Sequence, residues 1–277
     1  MKTMKWMLGV AAMVAAVSCG QKKTETAPKY LVLYYSQTSN TKAVAEEIAS
    51  ALGADIEEII AEVPYDGDFR ETIDRCLKER EEGVIPAVKP LNVHVADYDV
   101  IFLGYPVWFG TYAPPVASWL NDVDLSGKKI VPFCTFGSGG LDSSVRDLAA
   151  KQPGAEILAG YGVRAARMDA MPAEVDLFLK AAGFLEGEYV APEEFPEAHP
   201  VTEEEAAIFA ASIADYPMMT GTTASTVTSR PAPNGTEYKF TAVAAPRPDM
   251  PAGPAMEMTV FVLVENGKAP VFTQVLR

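Results

Sequence analysis

The sequence predicts a doubly wound α/β domain, in which helices cover both faces of a five-stranded parallel sheet, followed by a small α+β appendage. Two observations lead to this prediction. Strand and helix patterns alternate five times between residue 30 and about residue 185. The strand segments are short continuous apolar runs, as expected for strands that are buried on both faces. Five strand–helix units in succession are typical of a doubly wound sheet.

Each element of this domain is assigned from its apolar pattern and its flanking turn residues. The predicted strands cover residues 30–35, 56–61, 98–105, 129–135 and 155–163. The predicted helices cover residues 40–52, 69–82, 114–121, 143–151 and 173–182. The last helix is expected to end near Gly183. The domain is therefore expected to span residues 30–187.

The composition changes after this domain, where the chain becomes rich in Pro and Glu. We interpret residues 188–202 as a linker and residues 203–277 as a small α+β domain. Thr202 and Glu205 form a capping-box pattern that opens a helix. Three strands are predicted at 237–243, 257–264 and 270–276, and Asn266-Gly267 predicts a hairpin turn between the last two. No motif in this segment indicates its role.

The N-terminal residues read as a targeting segment. Lys2 and Lys5 precede an apolar stretch at 6–17, which is shorter than the roughly 20 residues that span a bilayer. Small residues at 16–18 precede Cys19 and resemble the lipobox of bacterial lipoproteins. The resemblance implies a signal peptide at 1–19, acylation of Cys19 and a polar tether at 20–29. We favour this lipid anchor, on the periplasmic or cell-envelope face, over an ordinary secretory signal.

Charge and residue counts exclude several classes of function. A formal net charge of −14 argues against nucleic acid or an anionic lipid surface as a partner. His94 and His199 lie away from the predicted loops, and no Cys/His spacing fits a metal site. The run that begins at Phe136 lacks the first Gly of a hydrolase nucleophile elbow. For Cys76 and Cys134, a disulfide and two free thiols both remain open.

A loop of hydroxyl and amide side chains follows the first predicted strand. It consists of Ser36, Gln37, Thr38, Ser39, Asn40 and Thr41. The loop opens a helix, whose first N–H groups lack partners and carry the positive end of the helix dipole. Because none of its residues is basic, the loop suits the terminal phosphate of a bound cofactor that is not transferred. An ordinary helix cap is the alternative.

Two further loops follow the third and fourth predicted strands. They consist of Pro106, Val107, Trp108, Phe109 and Gly110, and of Thr135, Phe136, Gly137, Ser138 and Gly139. Ligands of open α/β sheets bind outside the carboxyl ends of the strands, where the strand order reverses. We therefore expect the three loops to border one ligand site. The alternatives are a core position for Trp108, although Pro106 favours an exposed loop, and a simple tight turn for the glycines.

Taken together, the three loops resemble those of flavodoxins, in particular the flavodoxin-like domains of exported bacterial proteins. The resemblance implies a flavodoxin-like sheet and an FMN cofactor. It also implies that the first loop binds phosphate, that Trp108 stacks on the isoalloxazine and that the third loop brings N–H groups to the pyrimidine edge. Tyr112 and Phe136 are the residues that we expect to form a second wall.

The sequence departs from many electron-carrier flavodoxins in two places. Its first loop begins with Ser36-Gln37-Thr38 where those proteins have Thr-Gly, and residues 61–90 form a long insert. Tyr65, Arg70 and Glu82 of this insert are candidates for contact with the flavin or a substrate. We expect a membrane-tethered FMN protein that transfers electrons between unknown redox partners. An FMN-dependent reductase of a quinone or other small oxidant and a non-catalytic binding module are the alternatives.

Overall fold

Parallel strands with flanking helices form the N-terminal part of the protein, as the sequence predicts. The computed structural model describes residues 27–244 and 257–277. The strands of this part are β1 (Tyr30–Tyr34), β2 (Asp55–Glu58), β3 (Val100–Trp108), β4 (Thr111–Tyr112), β5 (Lys129–Phe136), β6 (Glu156–Ile157) and β7 (Tyr161–Arg164). The helices are α1 (Asn40–Leu52), α2 (Phe69–Glu82), α3 (Pro114–Asp122), α4 (Leu141–Lys151) and α5 (Met171–Ala181).

The central sheet has the order β2-β1-β3-β5-β6, and β7 also pairs with β5. These pairs are parallel, whereas the short β4 folds back antiparallel on β3. After the edge strand β2 the chain passes over β1 and forms the central strand β3 on its other side, so the strand order reverses between β1 and β3. The predicted fold class is confirmed, and the ends of β1, β3 and β5 lie side by side.

The predicted strand at 155–163 is two strands in the structure. Ile130 of β5 is in register with Ile157 of β6, and Phe133 of β5 is in register with Tyr161 of β7. Pro132 lies between these two pairs. Because proline has no N–H to donate, the ladder is interrupted there. The second strand is also shorter than predicted, since it ends at Glu58.

Helices cover the parallel sheet on both sides, so that two apolar layers form. One layer contains Leu31, Leu33, Ile101 and Leu103. The other contains Val32, Phe102, Phe133 and the α1 residue Val44. Successive residues of β1 therefore alternate between the two layers, as the pleat of a strand requires. This double burial explains why the strands read as continuous apolar runs.

A separate antiparallel sheet forms the C-terminal part. Its strands are β8 (His199–Pro200), β9 (Thr223–Ala232), β10 (Gly235–Val243), β11 (Glu257–Glu265) and β12 (Val271–Leu276), and its helix is α6 (Glu203–Ile213). Among the described residues the strand order is β12-β11-β10-β9-β8. We refer to β8, α6 and β9–β12 as the C-terminal module.

The C-terminal module has more strands than the sequence patterns indicated. β9 was not predicted, and β8 lies within residues 188–202, which we interpreted as a linker. The capping box of Thr202 and Glu205 is present, and β11 and β12 are antiparallel on either side of Asn266-Gly267. β9 has a run of small and hydroxyl residues in place of a strong apolar alternation, and only its consecutive residues Val227 and Thr228 are buried.

The predictions for residues 1–26, including the anchor at Cys19, lie outside the described residues. Within residues 27–244 and 257–277, no helix combines the length and apolarity that a bilayer span requires.

Candidate functional site

The three predicted loops meet at the carboxyl edge of the parallel sheet. Ser36–Thr41 follow β1, residues 106–110 close β3, and residues 137–140 follow β5. β1 pairs with β3, and β3 pairs with β5, so these three chain segments leave adjacent strands. The edge is also the point at which the strand order reverses, which is where open α/β sheets bind ligands.

The first loop leaves the N-terminus of α1 open. Ser39 adopts a left-handed conformation (φ 66°), and its side chain makes no capping hydrogen bond. Its carbonyl accepts from the N–H of Ala43, which is the first bond of the helix. The N–H groups of the first turn precede that bond and have no intrahelical partner. The left-handed conformation is unfavourable for residues other than glycine, so the backbone at Ser39 is strained.

Two hydroxyl groups of this loop differ sharply in their hydrogen bonding. Thr41 is buried, and its Oγ1 lies 2.8 Å from Oγ1 of Thr135, so the first loop is fastened to the end of β5. Ser36 Oγ is also buried but has no hydrogen-bond partner within residues 27–244 and 257–277. A buried hydroxyl without a partner costs free energy. An anion seated at the helix N-terminus would supply the missing acceptor.

The second loop is not an exposed loop at Trp108, contrary to what Pro106 suggested. β3 continues through Trp108, and Pro106 is in register with Thr135 of β5. The chain then turns at Phe109 and Gly110, which both have positive φ, and Trp108 pairs with Thr111. Two positive φ angles in a two-residue hairpin are the mark of a type I′ turn. The turn leaves the Phe109 side chain 51% exposed at the rim.

Trp108 is held in place by two tyrosines. Its ring makes edge-to-face contacts with Tyr35 (5.9 Å between centroids) and with Tyr65 (5.3 Å). Burial raises the pKa of both tyrosines far above the ordinary value, and Glu79, to which Tyr65 donates a hydrogen bond, raises that of Tyr65 further. Both rings are therefore neutral at physiological pH. Trp108 thus presents a fixed aromatic surface instead of being a freely rotating side chain.

The long insert supports this aromatic cluster. The Arg75 guanidinium lies 3.6 Å from the Tyr65 ring centroid, and its Nε donates to Glu79 at 2.8 Å. Gln37 of the first loop donates from Nε2 to the carbonyl of Tyr65 and to Oγ1 of Thr72. Arg70 instead pairs with Asp74 on the exposed side of α2. Of the insert residues singled out from the sequence, Tyr65 contributes to the site through its contact with Trp108.

A cavity of about 290 Å³ lies between these loops. Seven of the residues predicted for the site line it: Gln37, Val107, Trp108, Phe109, Gly137, Ser138 and Gly139. Five more lining residues were not predicted: Phe69, Thr72, Ile73, Cys76 and Tyr216. Thr38, Ser39 and Asn40 lie at the neighbouring start of α1, and Thr38 and Ser39 are exposed. Gln37 of the first loop and parts of the other two loops therefore line one cavity.

The two residues expected to form a second aromatic wall do not do so. Phe136 is buried in the core layer below the sheet edge, and Gly162 lies against its ring. Tyr112 packs edge-to-face on Tyr105 and lines a different cleft. The reason is that Phe136 is still part of β5, so the pleat directs its side chain into the core. Tyr216 of the C-terminal module lines the cavity in their place.

The unpredicted residues carried different signals in the sequence. Phe69, Thr72, Ile73 and Cys76 follow one face of α2, at the spacing of three to four residues that marks a helix face. Phe69, the first residue of α2, is 83% exposed. Tyr216 had no local signal, because it reaches the cavity only through the packing of the module.

A larger cleft of about 720 Å³ adjoins this cavity. The two share Cys76, Trp108 and Phe109, and the larger one is walled mainly by apolar and aromatic side chains. Arg80, Asp147 and Lys151 supply its charged groups. The Arg80 guanidinium lies 5.4 Å from the Phe109 ring centroid. Trp108 and Phe109 thus separate two spaces.

The cysteines near the site are free thiols. Cys76 and Cys134 are buried, and within residues 27–244 and 257–277 they form no disulfide. Burial raises the pKa of the Cys76 thiol to about 11, and it also raises that of Cys134. Neither thiol is therefore ionised at neutral pH, which argues against a nucleophilic role for either.

Comparison with known proteins agrees with this geometry. A family model described as Flavodoxin matches residues 29–172, which is more than half of the chain. The chain belongs to the flavodoxin family. The three loops described above lie within the matched residues. Most of α5 and all of the C-terminal module lie outside them.

Solved structures of similar proteins include two from Bacteroides. A protein described as a flavoprotein from Bacteroides eggerthii DSM 20697 is 26% identical, covers 56% of this chain and 98% of its own, and has a TM-score of 0.50. One from Bacteroides uniformis ATCC 8492 is 25% identical over 54% and 98%, with a TM-score of 0.48. A flavoprotein in complex with FMN from Lactobacillus acidophilus NCFM is 27% identical over 49% and 93%, with a TM-score of 0.43.

The residues of this flavodoxin site fit a phosphorylated flavin. The buried Ser36 Oγ lacks an acceptor in the part of the chain that the structure describes, and the open first turn of α1 supplies further N–H donors. Trp108 offers a fixed aromatic surface at the cavity wall. Gly137, Ser138 and Gly139 line the same cavity with accessible backbone. The site is thus polar at the start of α1 and aromatic at Trp108, which matches a phosphate joined to a planar ring system.

Proposed function

We propose that this flavodoxin binds FMN and transfers electrons between redox partners. The observation that carries the proposal is the buried Ser36 Oγ, which has no partner in the described part of the chain, before the open N-terminus of α1 and beside a cavity walled by Trp108. Membership of the flavodoxin family and the likeness to a Bacteroides flavoprotein support it. When bound, FMN supplies the one- and two-electron chemistry.

The chain's own residues would bind and shield the cofactor. Ser36, Thr38, Asn40 and the first-turn N–H groups would hold the phosphate, while Thr41 fixes the loop through Thr135. Trp108, held by Tyr35 and Tyr65, would exclude water from one side of the ring. The exposed Phe69 and Phe109 at the rim leave an apolar edge at which a redox partner can approach.

Titration of the full-length protein with FMN tests this proposal. We expect saturable quenching of flavin fluorescence with one FMN per chain, and weaker binding of riboflavin because the α1 site is selective for phosphate. Trp108→Ala should weaken the binding of both ligands, whereas Trp119→Phe, a core substitution away from the cavity, should leave both unchanged. A protein that binds no FMN would contradict the proposal and would favour a non-catalytic binding module.

The larger cleft favours a second candidate function, an FMN-dependent reductase of a quinone or other small oxidant. The cleft shares Trp108 and Phe109 with the smaller cavity and has mainly apolar walls. Steady turnover with a reductant and menadione, lowered several-fold by Ala117→Trp with an unchanged Kd for FMN, would support it. If the protein reduces none of a panel of quinones, electron transfer between redox partners remains the proposed function.

Membrane attachment through Cys19 is part of the proposal and rests on the sequence. Small residues precede Cys19, and a polar segment follows it. Acyl chains on this residue would hold the protein at the membrane surface of the cell envelope without a spanning helix. Metabolic labelling with an alkyne fatty acid should mark the wild-type chain and not the Cys19→Ser variant. Equal labelling of both would rule out this anchor.

A further inference from the structure

The C-terminal module reaches into the flavin cavity with one aromatic side chain. Tyr216, in the turn between α6 and the short helix Pro217–Met219, lines the cavity together with Trp108. Gly137, Ser138 and Gly139, which we call the glycine-rich loop, line it as well. A Cβ atom built on Gly137 would lie 3.2 Å from Tyr216 Oη. The tyrosine is therefore in close contact with the loop that follows β5.

Tyr216 is fixed by contacts on its far side. Its ring packs edge-to-face on Phe272 of β12, with centroids 5.3 Å apart. Its backbone N–H donates to the carbonyl of Ile213 at the end of α6. The Arg164 guanidinium lies 5.5 Å from the Tyr216 ring centroid and 3.4 Å from that of Phe272. Contacts within the protein thus fix the position of the half-buried Tyr216 ring.

The C-terminal module is also hydrogen-bonded to the backbone of the glycine-rich loop. The N–H of Val275 on β12 donates to the carbonyl of Ser138 at 2.7 Å. Arg164, which is buried, donates from Nε to the carbonyl of Gly137 and from a terminal nitrogen to the carbonyl of Phe272. A Cβ on Gly139 would lie 2.2 Å from the Val275 carbonyl oxygen, so this approach requires glycine.

These contacts determine which way the loop amides face. In a trans peptide the carbonyl and the following N–H point in opposite directions. With the carbonyls of Gly137 and Ser138 directed to Arg164 and Val275, the N–H groups of Ser138 and Gly139 point to the other side of the loop. Among the described residues, these two N–H groups donate to no acceptor. The loop therefore offers two free donors beside the cavity.

We propose that the C-terminal module is a built-in part of the flavin site. Tyr216 forms a second aromatic wall of the cavity in addition to Trp108, and β12 with Arg164 fixes the loop so that its free N–H groups would be available to donate to the bound cofactor. The inference deepens the proposed function, because its ligand is the isoalloxazine of the FMN proposed above. It assigns to the module a role in cofactor binding in place of partner docking.

The test compares the affinities of four full-length proteins for FMN: the wild type, Tyr216→Leu, Tyr216→Phe and Tyr238→Leu. Leucine keeps apolar contact with Phe272 but removes the aromatic plane, and phenylalanine keeps the plane. Tyr238 is the matched control, since it is a half-buried tyrosine of the same module whose ring stacks on Phe240 away from the cavity. Thermal midpoints of the FMN-free proteins and the visible spectrum of the bound flavin are recorded in parallel.

We expect the Kd of Tyr216→Leu for FMN to rise about tenfold, as is typical for loss of an aromatic contact, with a shifted flavin band. Tyr216→Phe and Tyr238→Leu should stay within about twofold of the wild type. If Tyr216→Leu binds FMN as tightly as the wild type does, the inference is wrong and the proposed function stands. If Tyr238→Leu weakens binding equally, the effect of the module is only structural, which also overturns the inference. Failure of the wild type to bind FMN overturns both.

Discussion

At the scale of single residues, two hydroxyls of the same loop have opposite roles. The Thr41 hydroxyl is hydrogen-bonded to that of Thr135 and joins α1 to β5, whereas the buried Ser36 hydroxyl has no hydrogen-bond partner among the described residues. A satisfied buried group stabilises the fold, and an unsatisfied one costs free energy until a ligand arrives. Thr41 therefore stabilises the structure of the site, whereas Ser36 has a hydroxyl that is available to a ligand.

This difference predicts opposite effects of Ser36→Ala on stability and on binding. Without FMN, Ser36→Ala should leave the free energy of unfolding unchanged or raise it by up to about 1 kcal/mol, because an unpaired buried hydroxyl is removed. The Kd for FMN should rise about tenfold, because a hydrogen bond to a charged phosphate is lost. Urea unfolding and fluorescence titration measure the two quantities.

Thr41→Val is the matched control for Ser36→Ala. It keeps the shape of the side chain but removes the hydroxyl that pairs with Thr135, so it should lower the free energy of unfolding by about 1 kcal/mol. A clear loss of stability in FMN-free Ser36→Ala would show that Ser36 has a structural partner and would remove the main support for the phosphate site.

At the scale of elements, the packing of β3 against β5 depends on the missing side chain at Gly104. Gly104 of β3 is in register with Phe133 of β5, and a Cβ at 104 would lie 2.1 Å from the Phe133 ring. Phe133 is completely buried, in the apolar layer that also contains Val44 of α1. Glycine at this position allows the Phe133 ring to lie over the backbone of β3.

Gly104→Ala should therefore destabilise the protein by about 1–3 kcal/mol through overpacking. In a Phe133→Leu background the same change should cost clearly less, because the smaller side chain leaves room for the new methyl group. The double-mutant cycle is measured by urea unfolding at equilibrium. Equal costs in both backgrounds would mean that the methyl group clashes with something other than the ring.

At the scale of the whole molecule, burial of tyrosines links stability to alkaline pH. Burial, with a smaller contribution from Glu58, raises the pKa of Tyr34 to about 12, and burial also raises the pKa values of Tyr35, Tyr65 and Tyr161. In the unfolded chain these groups ionise near pH 10. The unfolded state therefore loses protons that the folded state keeps, and stability must fall as the pH rises above about 10.

We expect the free energy of unfolding to be constant with respect to these tyrosines up to about pH 9 and to fall between pH 10 and pH 12. Urea unfolding at several pH values, with tyrosinate absorbance as the titration signal, measures the decline. Tyr34→Phe should make the decline shallower, because one group that ionises only on unfolding is removed. A stability that is flat from pH 8 to pH 12 would contradict the prediction.

Much of the architecture could be predicted because its signals are local. The bounds of α1 and α2 follow from their patterns and caps, and the apolar strand runs reflect burial on both faces. The first loop could be assigned as a helix N-terminal site from its residue types alone. The split into β6 and β7 and the existence of β9 were not predicted, since these strands depend on pairing with β5 and with β10 more than on an apolar pattern of their own.

The sequence by itself determined the parallel sheet, the order of strands and helices and the three loops at one sheet edge, because hydrophobic period and helix caps act within a few residues. Only the tertiary structure decided which side chains face the cavity. It placed Phe136 in the core, Phe69 and Cys76 at the wall, and Tyr216 beside Trp108 from more than a hundred residues away. Such contacts arise from packing between distant segments, and no local pattern of residues encodes them.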